Sequence, residues 1–154
     1  MFRELRRTER KMDEADVIRL LEGQDYGVLS TASTDGYAYG VPLNYVYINN
    51  SIYFHCAVEG HKTDNITVNN KVSFCVVGEI EVLPDKFSTR YQSVIVFGLI
   101  EEVYGDEKHQ ALTGLLEKYS SQYMEKGMKY IDSYEARTKV LKLNIEHISG
   151  KARK

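Results

Sequence analysis

The stretch Ile52–Lys62, IYFHCAVEGHK, changes its periodicity midway, and this constrains the fold more than any other feature of the chain. Ile52, Phe54 and Cys56 alternate with Tyr53, His55 and Ala57, the period-two pattern of a half-buried strand. The alternation stops at Gly60, and Thr63-Asp64 can cap a short helix running to about Asn69. A strand that passes through a glycine and a lysine into a helix N-terminus makes an anion site. Free N–H groups and the positive end of the helix dipole face the ligand, and Lys62 adds a full charge. The residues alone allow two readings, a phosphate seat and a solvated turn.

The rest of the chain arranges itself around this switch. Asp13–Gln24 reads as a helix that Asp13 caps, with Ala15, Val17, Ile18, Leu20 and Leu21 as its apolar face and Gly23 at its end. Tyr26–Thr34 reads as a strand, Asp35-Gly36 as a hairpin turn, and Tyr37–Ile48 as the returning strand, whose Pro42 marks an edge, a bulge or a barrel corner. Asn49-Asn50 is a second tight turn, since asparagine tolerates positive φ. These strands and Ile52–Ala57 read as a three-stranded meander. Lys71–Leu83 is a fourth strand broken by Pro84, followed by a loop at Asp85–Thr89. Ser93–Tyr104 is a fifth strand, with Gly98 where it bends or meets another group. Asp106–Ser121 is a helix, Gln122–Ala136 one or two short helices around Gly127, and Thr138–Ile145 the last strand. The expected fold is therefore mainly β within the α+β class: a six-stranded antiparallel barrel with peripheral helices. Residues 1–154 form one domain, with an N-terminal arm at 1–12 and a polar, basic tail at 149–154.

Composition narrows the function. With 154 residues, 43% of them hydrophobic and 27% charged, the chain suits one globular domain with a substantial core. A net charge of -2 and a pI near 6.1 argue against a nucleic-acid binder. The opening cations Arg3, Arg6, Arg7, Arg10 and Lys11 are interrupted by Glu4 and Glu9. No apolar run reaches the ~18 residues of a membrane span and no signal-peptide core is present, so a cytoplasmic location is expected. Cys56 and Cys75 lack zinc-site spacing and are expected as two buried thiols, with no metal site. Twelve tyrosines and no tryptophan suit strand, core and interface packing. No Gly-x-Ser-x-Gly elbow, HExxH, P-loop or dinucleotide GxGxxG occurs. Glu79 and Glu81 read as a solvated strand end. His109 and His147 have no partners in the pattern and read as structural or solvated.

Asp25–Gly78 resembles the pyridoxamine-phosphate-oxidase-like, FMN-binding split barrels, and within them the nitroimidazole-resistance (Nim-like) group. The matching pieces are GVPLNYVY at Gly40–Tyr47, Ile52–Lys62, NNKVSFCVVG at Asn69–Gly78, YQSVIVFG at Tyr91–Gly98 and HISGKAR at His147–Arg153. The resemblance implies a split-barrel homodimer with FMN at the subunit interface. It implies FMN phosphate contacts from His55 and Lys62, with His61 as a further candidate. It sets Pro42, Leu43 and Asn44 along the flavin ring and brings Ser93 to a flavin or phosphate oxygen. His55 is the one candidate for a catalytic role. The implied activity is an FMN-dependent oxidoreductase that takes electrons from NADH or NADPH and reduces a small nitro-aromatic-like acceptor. Two alternatives stand beside it: a non-catalytic flavin- or haem-binding protein for storage or sensing, with His55 or His61 as the haem ligand, and a pyridoxamine-phosphate-oxidase-type enzyme. The arginine-containing C-terminal substrate motif expected of the latter is replaced here by GKARK.

Overall fold

The computed structural model describes residues 2–154. Helix α1 (Glu14–Gly23) leads into strands β1 (Gly27–Ala32), β2 (Ala38–Leu43), β3 (Val46–Ile48) and β4 (Ser51–Ala57). Helix α2 (His61–Val68) precedes β5 (Lys71–Leu83) and β6 (Ser88–Val103). Helices α3 (Gly105–Ser120) and α4 (Met124–Tyr134) then precede β7 (Thr138–Arg153). All strand pairs are antiparallel, in the order β2-β1-β5-β6-β7-β4-β3.

There are seven strands rather than six, because Tyr37–Ile48 is two strands. The break falls at Asn44-Tyr45, while Pro42 stays within β2 at the edge of the sheet, one of the positions its presence implies. The Tyr45 side chain is fully buried, with its hydroxyl donating to the Leu21 carbonyl, and the Asn44 amide donates to the Asp25 carbonyl at 2.8 Å. These long-range bonds turn the chain, so β1–β2 and β3–β4 are separate hairpins at opposite ends of the strand order rather than a meander. The turn at Asn49-Asn50 has positive φ at both residues, as its composition implies. The expected basic tail is also strand. Ser149–Arg153 continues β7 against Tyr91–Ile95 of β6, and pairing with Glu81–Leu83 of β5 extends β6 further, to Ser88.

Alternation gives the sheet two different faces. Leu29, Phe74, Val76, Val94, Val96 and Ile100 point inward and form one core with Ile52, Phe54, Leu141 and Leu143, and α1 adds Val17, Leu20 and Leu21 to it. A smaller cluster packs α3, through Ala111 and Leu115, against Tyr53, Val103 and Val140. Elsewhere the outward face is open, with Val28, Val77, Ile95 and Phe97 exposed on β1, β5 and β6. Cys56 is buried in the core, whereas Cys75 faces outward and is only half-buried; both are free thiols.

Gly98 sits at the bulge where the β6–β7 register shifts. A Cβ there would overlap the Asn144 carbonyl oxygen and approach Leu143 Cδ2 at 2.7 Å. The obstruction is backbone, so it cannot swing away. Gly98→Ala is expected to lower stability by about 2 kcal/mol or more, read as a fall of about 4–8 °C in Tm in a thermal melt.

Candidate functional site

At the end of β4 the inward residues belong to the core, while Tyr53 and His55 point outward. His55 lines a pocket of about 320 Å³ closed by α3 and α4, together with Asn44, Leu116, Tyr119, Tyr130 and Tyr134. Its side chain keeps an edge to solvent, but the surrounding protein strips away enough water to push its pKa below the usual histidine value. The Lys62 charge adds to that shift. His55 is therefore neutral at pH 7, one ring nitrogen a donor and the other an acceptor.

The chain then turns at Gly60, whose φ of +154° suits glycine, and α2 begins at His61. Gly60 is the N-cap, so the helix starts before Thr63-Asp64 and neither of these caps it. The Thr63 hydroxyl instead donates back to the Gly60 carbonyl at 2.7 Å. No side chain caps this helix, which leaves its first N–H groups open to an external acceptor. The Asp64 N–H makes the first intrahelical bond, to the Gly60 carbonyl, at 3.0 Å. His61 stacks on Tyr39 with ring centroids 4.0 Å apart.

The other expected residues divide between surfaces. Pro42 pairs with Val28 and shares its outward face, while Leu43 packs toward the core. Asn44 follows β2 and reaches the His55 pocket, although its amide nitrogen already serves the Asp25 carbonyl. Ser93 lies between Val77 and Lys151 on the outward face, separated from Pro42 by β1 and β5. One chain thus gathers Asn44 and His55 at one pocket, with the Lys62 charge reaching His55, and sets Pro42 and Ser93 apart on the open face. His109 pairs with Glu135 at 3.6 Å, and His147 stacks against Phe2. Among the described residues no His, Cys, Asp and Glu cluster could hold a metal ion. No helix among them is long and apolar enough to cross a membrane.

Beside the pocket is a group that the sequence reading did not single out. The Tyr119 hydroxyl donates to the Asp25 carbonyl at 2.6 Å and accepts from the Tyr45 N–H at 3.1 Å. Lys118 donates to the Tyr45 carbonyl at 3.0 Å and sits 3.7 Å from the centre of the Tyr45 ring. Burial draws its pKa down to about 8, against the opposing pull of Asp25. The signal was present in part: Tyr119 extends the Leu112, Leu115 and Leu116 stripe of α3 by one turn.

The fold and the switch into α2 define a class, and the sequence places the chain within it. The model of the pyridoxamine 5'-phosphate oxidase family matches residues 13–152, and the chain belongs to that family. No curated protein matches it. A candidate 5-nitroimidazole antibiotic resistance protein from Bacteroides thetaiotaomicron is 22% identical, with a TM-score of 0.75 over 92% of this chain and 85% of that one. A conserved hypothetical protein from Mycobacterium tuberculosis is 19% identical, with a TM-score of 0.82 over 97% and 90%. The FAD and heme binding protein from Mycobacterium smegmatis is 18% identical, with a TM-score of 0.77 over 94% and 74%. These likenesses establish the split-barrel fold.

The lowered pKa of His55 fixes the sign of a pH effect. Below the unfolded histidine value of 6.5 the unfolded chain binds a proton that the folded chain resists. Stability should therefore decline as pH falls through and below that value. Chemical-denaturation melts across this range should show the decline, and His55→Gln should flatten it. An NMR titration midpoint for His55 at or above 6.5 would contradict the assignment.

Proposed function

We propose that the chain binds FMN and acts as an oxidoreductase that reduces a small acceptor of nitroimidazole or nitro-aromatic type, with electrons from NADH or NADPH. The observation that carries this reading is the start of α2. Its first N–H groups have no side-chain acceptor, Lys62 stands beside them, and the Lys62 charge reaches His55. A dianionic phosphate takes backbone donors, charge and an imidazole donor from this arrangement. Family membership supports a flavin phosphate here. So does the flavin named for the Mycobacterium smegmatis neighbour, and the Bacteroides neighbour supports the acceptor class.

Bound flavin would supply the electron-transfer chemistry. The chain's own part is to hold and shield it. Lys62 and His55, with His61 near them, hold the phosphate, while Pro42, the Leu43 backbone and Asn44 border the ring. The pocket behind His55, walled by Leu116, Tyr119, Tyr130 and Tyr134, can stack a flat acceptor. The open outward face supports a homodimer with the cofactor between subunits. Val28, Val77, Ile95 and Phe97 are exposed there on neighbouring strands, and a second copy packing on them would bury an apolar patch. Such pairing would also bring Ser93 of one copy toward residues of the other.

The absorption spectrum of protein reconstituted with FMN and then desalted should retain bands near ~375 and ~450 nm, the cofactor's own chromophore. A Soret band after adding haem, without flavin retention, would move the assignment to haem. Lys62→Ala should weaken FMN binding about 10-fold or more in a fluorescence titration, since a charge-assisted contact is worth about 1.5–3 kcal/mol. Ile95→Arg should shift the protein from dimer to monomer in light scattering; an unchanged mass would remove the outward face from the interface.

A further inference from the structure

The hairpin between β5 and β6 stands clear of the rest of the sheet. β1 pairs with β5 only as far as Cys75, and β7 ends at Arg153, opposite Tyr91 of β6. Beyond the bulge at Gly78/Glu81 the two strands go on pairing as far as Leu83 and Ser88, and no third strand among the described residues flanks them there. A two-stranded ribbon has little stability of its own in water. This one nonetheless carries apolar side chains into solvent, with Ile80 and Val82 exposed on β5 and Phe87 at the tip. Phe87 is 96% exposed and sits in the left-handed region, with a φ of +50°. That conformation costs a bulky residue energy, and no burial within the chain offsets it.

The register shows which way the ribbon faces. Glu81 lies opposite Arg90 and pairs with it, on the side that continues the inward face through Gln92 and Val94. Val82, opposite Thr89, therefore continues the outward face past Tyr91, Ser93 and Ile95. At the other end of that face is a pocket of about 550 Å³ lined by Ser30, Ala32, Ala38, Ser73 and Phe97, with Phe2 stacked on the Phe97 ring. Phe87 and Phe97 are ten residues apart in the chain, about 33 Å when extended. Phe87 is thus out of reach of the pocket in its own chain.

We propose that the β5–β6 hairpin is an exchanged arm: it crosses to a second copy of this chain and seats Phe87 in that copy's pocket between Ala38 and Phe97. The arm rests on the homodimer read from the outward face and sets which way round the two copies lie. Two-fold symmetry makes the contact reciprocal. An axis in the plane of the interface that crosses β6 near Gln92, midway between Phe87 and Phe97, and runs across the strands sets each tip over the other copy's pocket. An axis along the strands would bring the two tips together and leave both pockets open. The protruding ring and the hollow lie at opposite ends of one face, and this favours the first arrangement. Each insertion removes an aromatic ring from water and fills a hollow, which offsets the strain at Phe87.

Cysteine cross-linking of the full-length protein in a Cys75→Ser background tests the arm. Phe87→Cys and Ala38→Cys together should give a reducible covalent dimer on oxidation with FMN present, and neither substitution alone should do so. Cross-linking by Phe87→Cys alone would place the tips together and overturn the proposal. Phe87→Gly removes the ring and suits the left-handed backbone, so the chain should stay folded by circular dichroism. Its dimer affinity should fall about 100-fold or more in sedimentation, because each dimer loses two buried rings. A dimer of unchanged affinity overturns the arm and leaves the homodimer standing, whereas a monomeric wild-type protein overturns both. A cross-link that FMN suppresses gives the pocket to the cofactor and overturns the arm alone.

Discussion

The long antiparallel pairing of β6 with β7 is the constraint on which the rest of the structure depends. It runs from Tyr91–Arg153 to Val103–Val140 and shifts register once, at the Phe97/Gly98 bulge. On one side β6 carries β5, β1 and β2; on the other β7 carries β4 and β3. Curvature of that ladder lets the inward residues of both halves meet in one core. The bulge needs a residue without a side chain where the Asn144 carbonyl oxygen comes close, and Gly98 supplies it. The candidate site also hangs on this ladder, since the His55 pocket lies by the start of β7.

Local chemistry made much of the fold legible. Period-two alternation marked β4, and the boundaries of β5 agree with the run from Lys71 to Leu83 that Pro84 ends. Asn49-Asn50 and Asp35-Gly36 marked turns through their tolerance of positive φ, and Asn49, Asn50 and Gly36 have it. What was hidden depends on distant partners. Pro42 stays within β2 as an outward edge residue, whereas Tyr45, which looks like one more strand aromatic, breaks the run by entering the core under α1. Ser149–Arg153 looks like a polar tail because every second residue is polar or charged. It becomes strand because β6 offers it a ladder.

The candidate site was legible to a lesser extent, for the same reason. His55, Lys62 and the glycine turn into α2 are consecutive in sequence, so their proximity follows from local geometry. Pro42 and Leu43 are also consecutive, but adjacent strand residues point to opposite faces, so they cannot both present side chains to one flavin ring. Tyr119 comes to the pocket, with Lys118 next to it in the chain, from a helix more than sixty residues after His55, and only the α3 apolar stripe hinted at the face that Tyr119 occupies. Ser93 is the clearest case of a residue that one chain cannot bring to the others. It shares the outward face with Pro42, but two strands intervene.

The electrostatics of the His55 region carry a further consequence. In the ligand-free chain, partial burial and the Lys62 charge both disfavour the imidazolium, so the neutral ring is the stable form. A dianion seated at the start of α2 would offset the Lys62 charge and place negative charge near the ring. Burial would still oppose protonation, but the nearby charge would now favour it. Phosphate binding and proton uptake by His55 would then be linked, each promoting the other, as reciprocal coupling requires. Lys118 would respond little, because its depressed pKa comes from burial beside Tyr45 rather than from Lys62. The two depressed bases that flank the site therefore differ in kind. Charge can retune His55, whereas the fold itself holds Lys118 down.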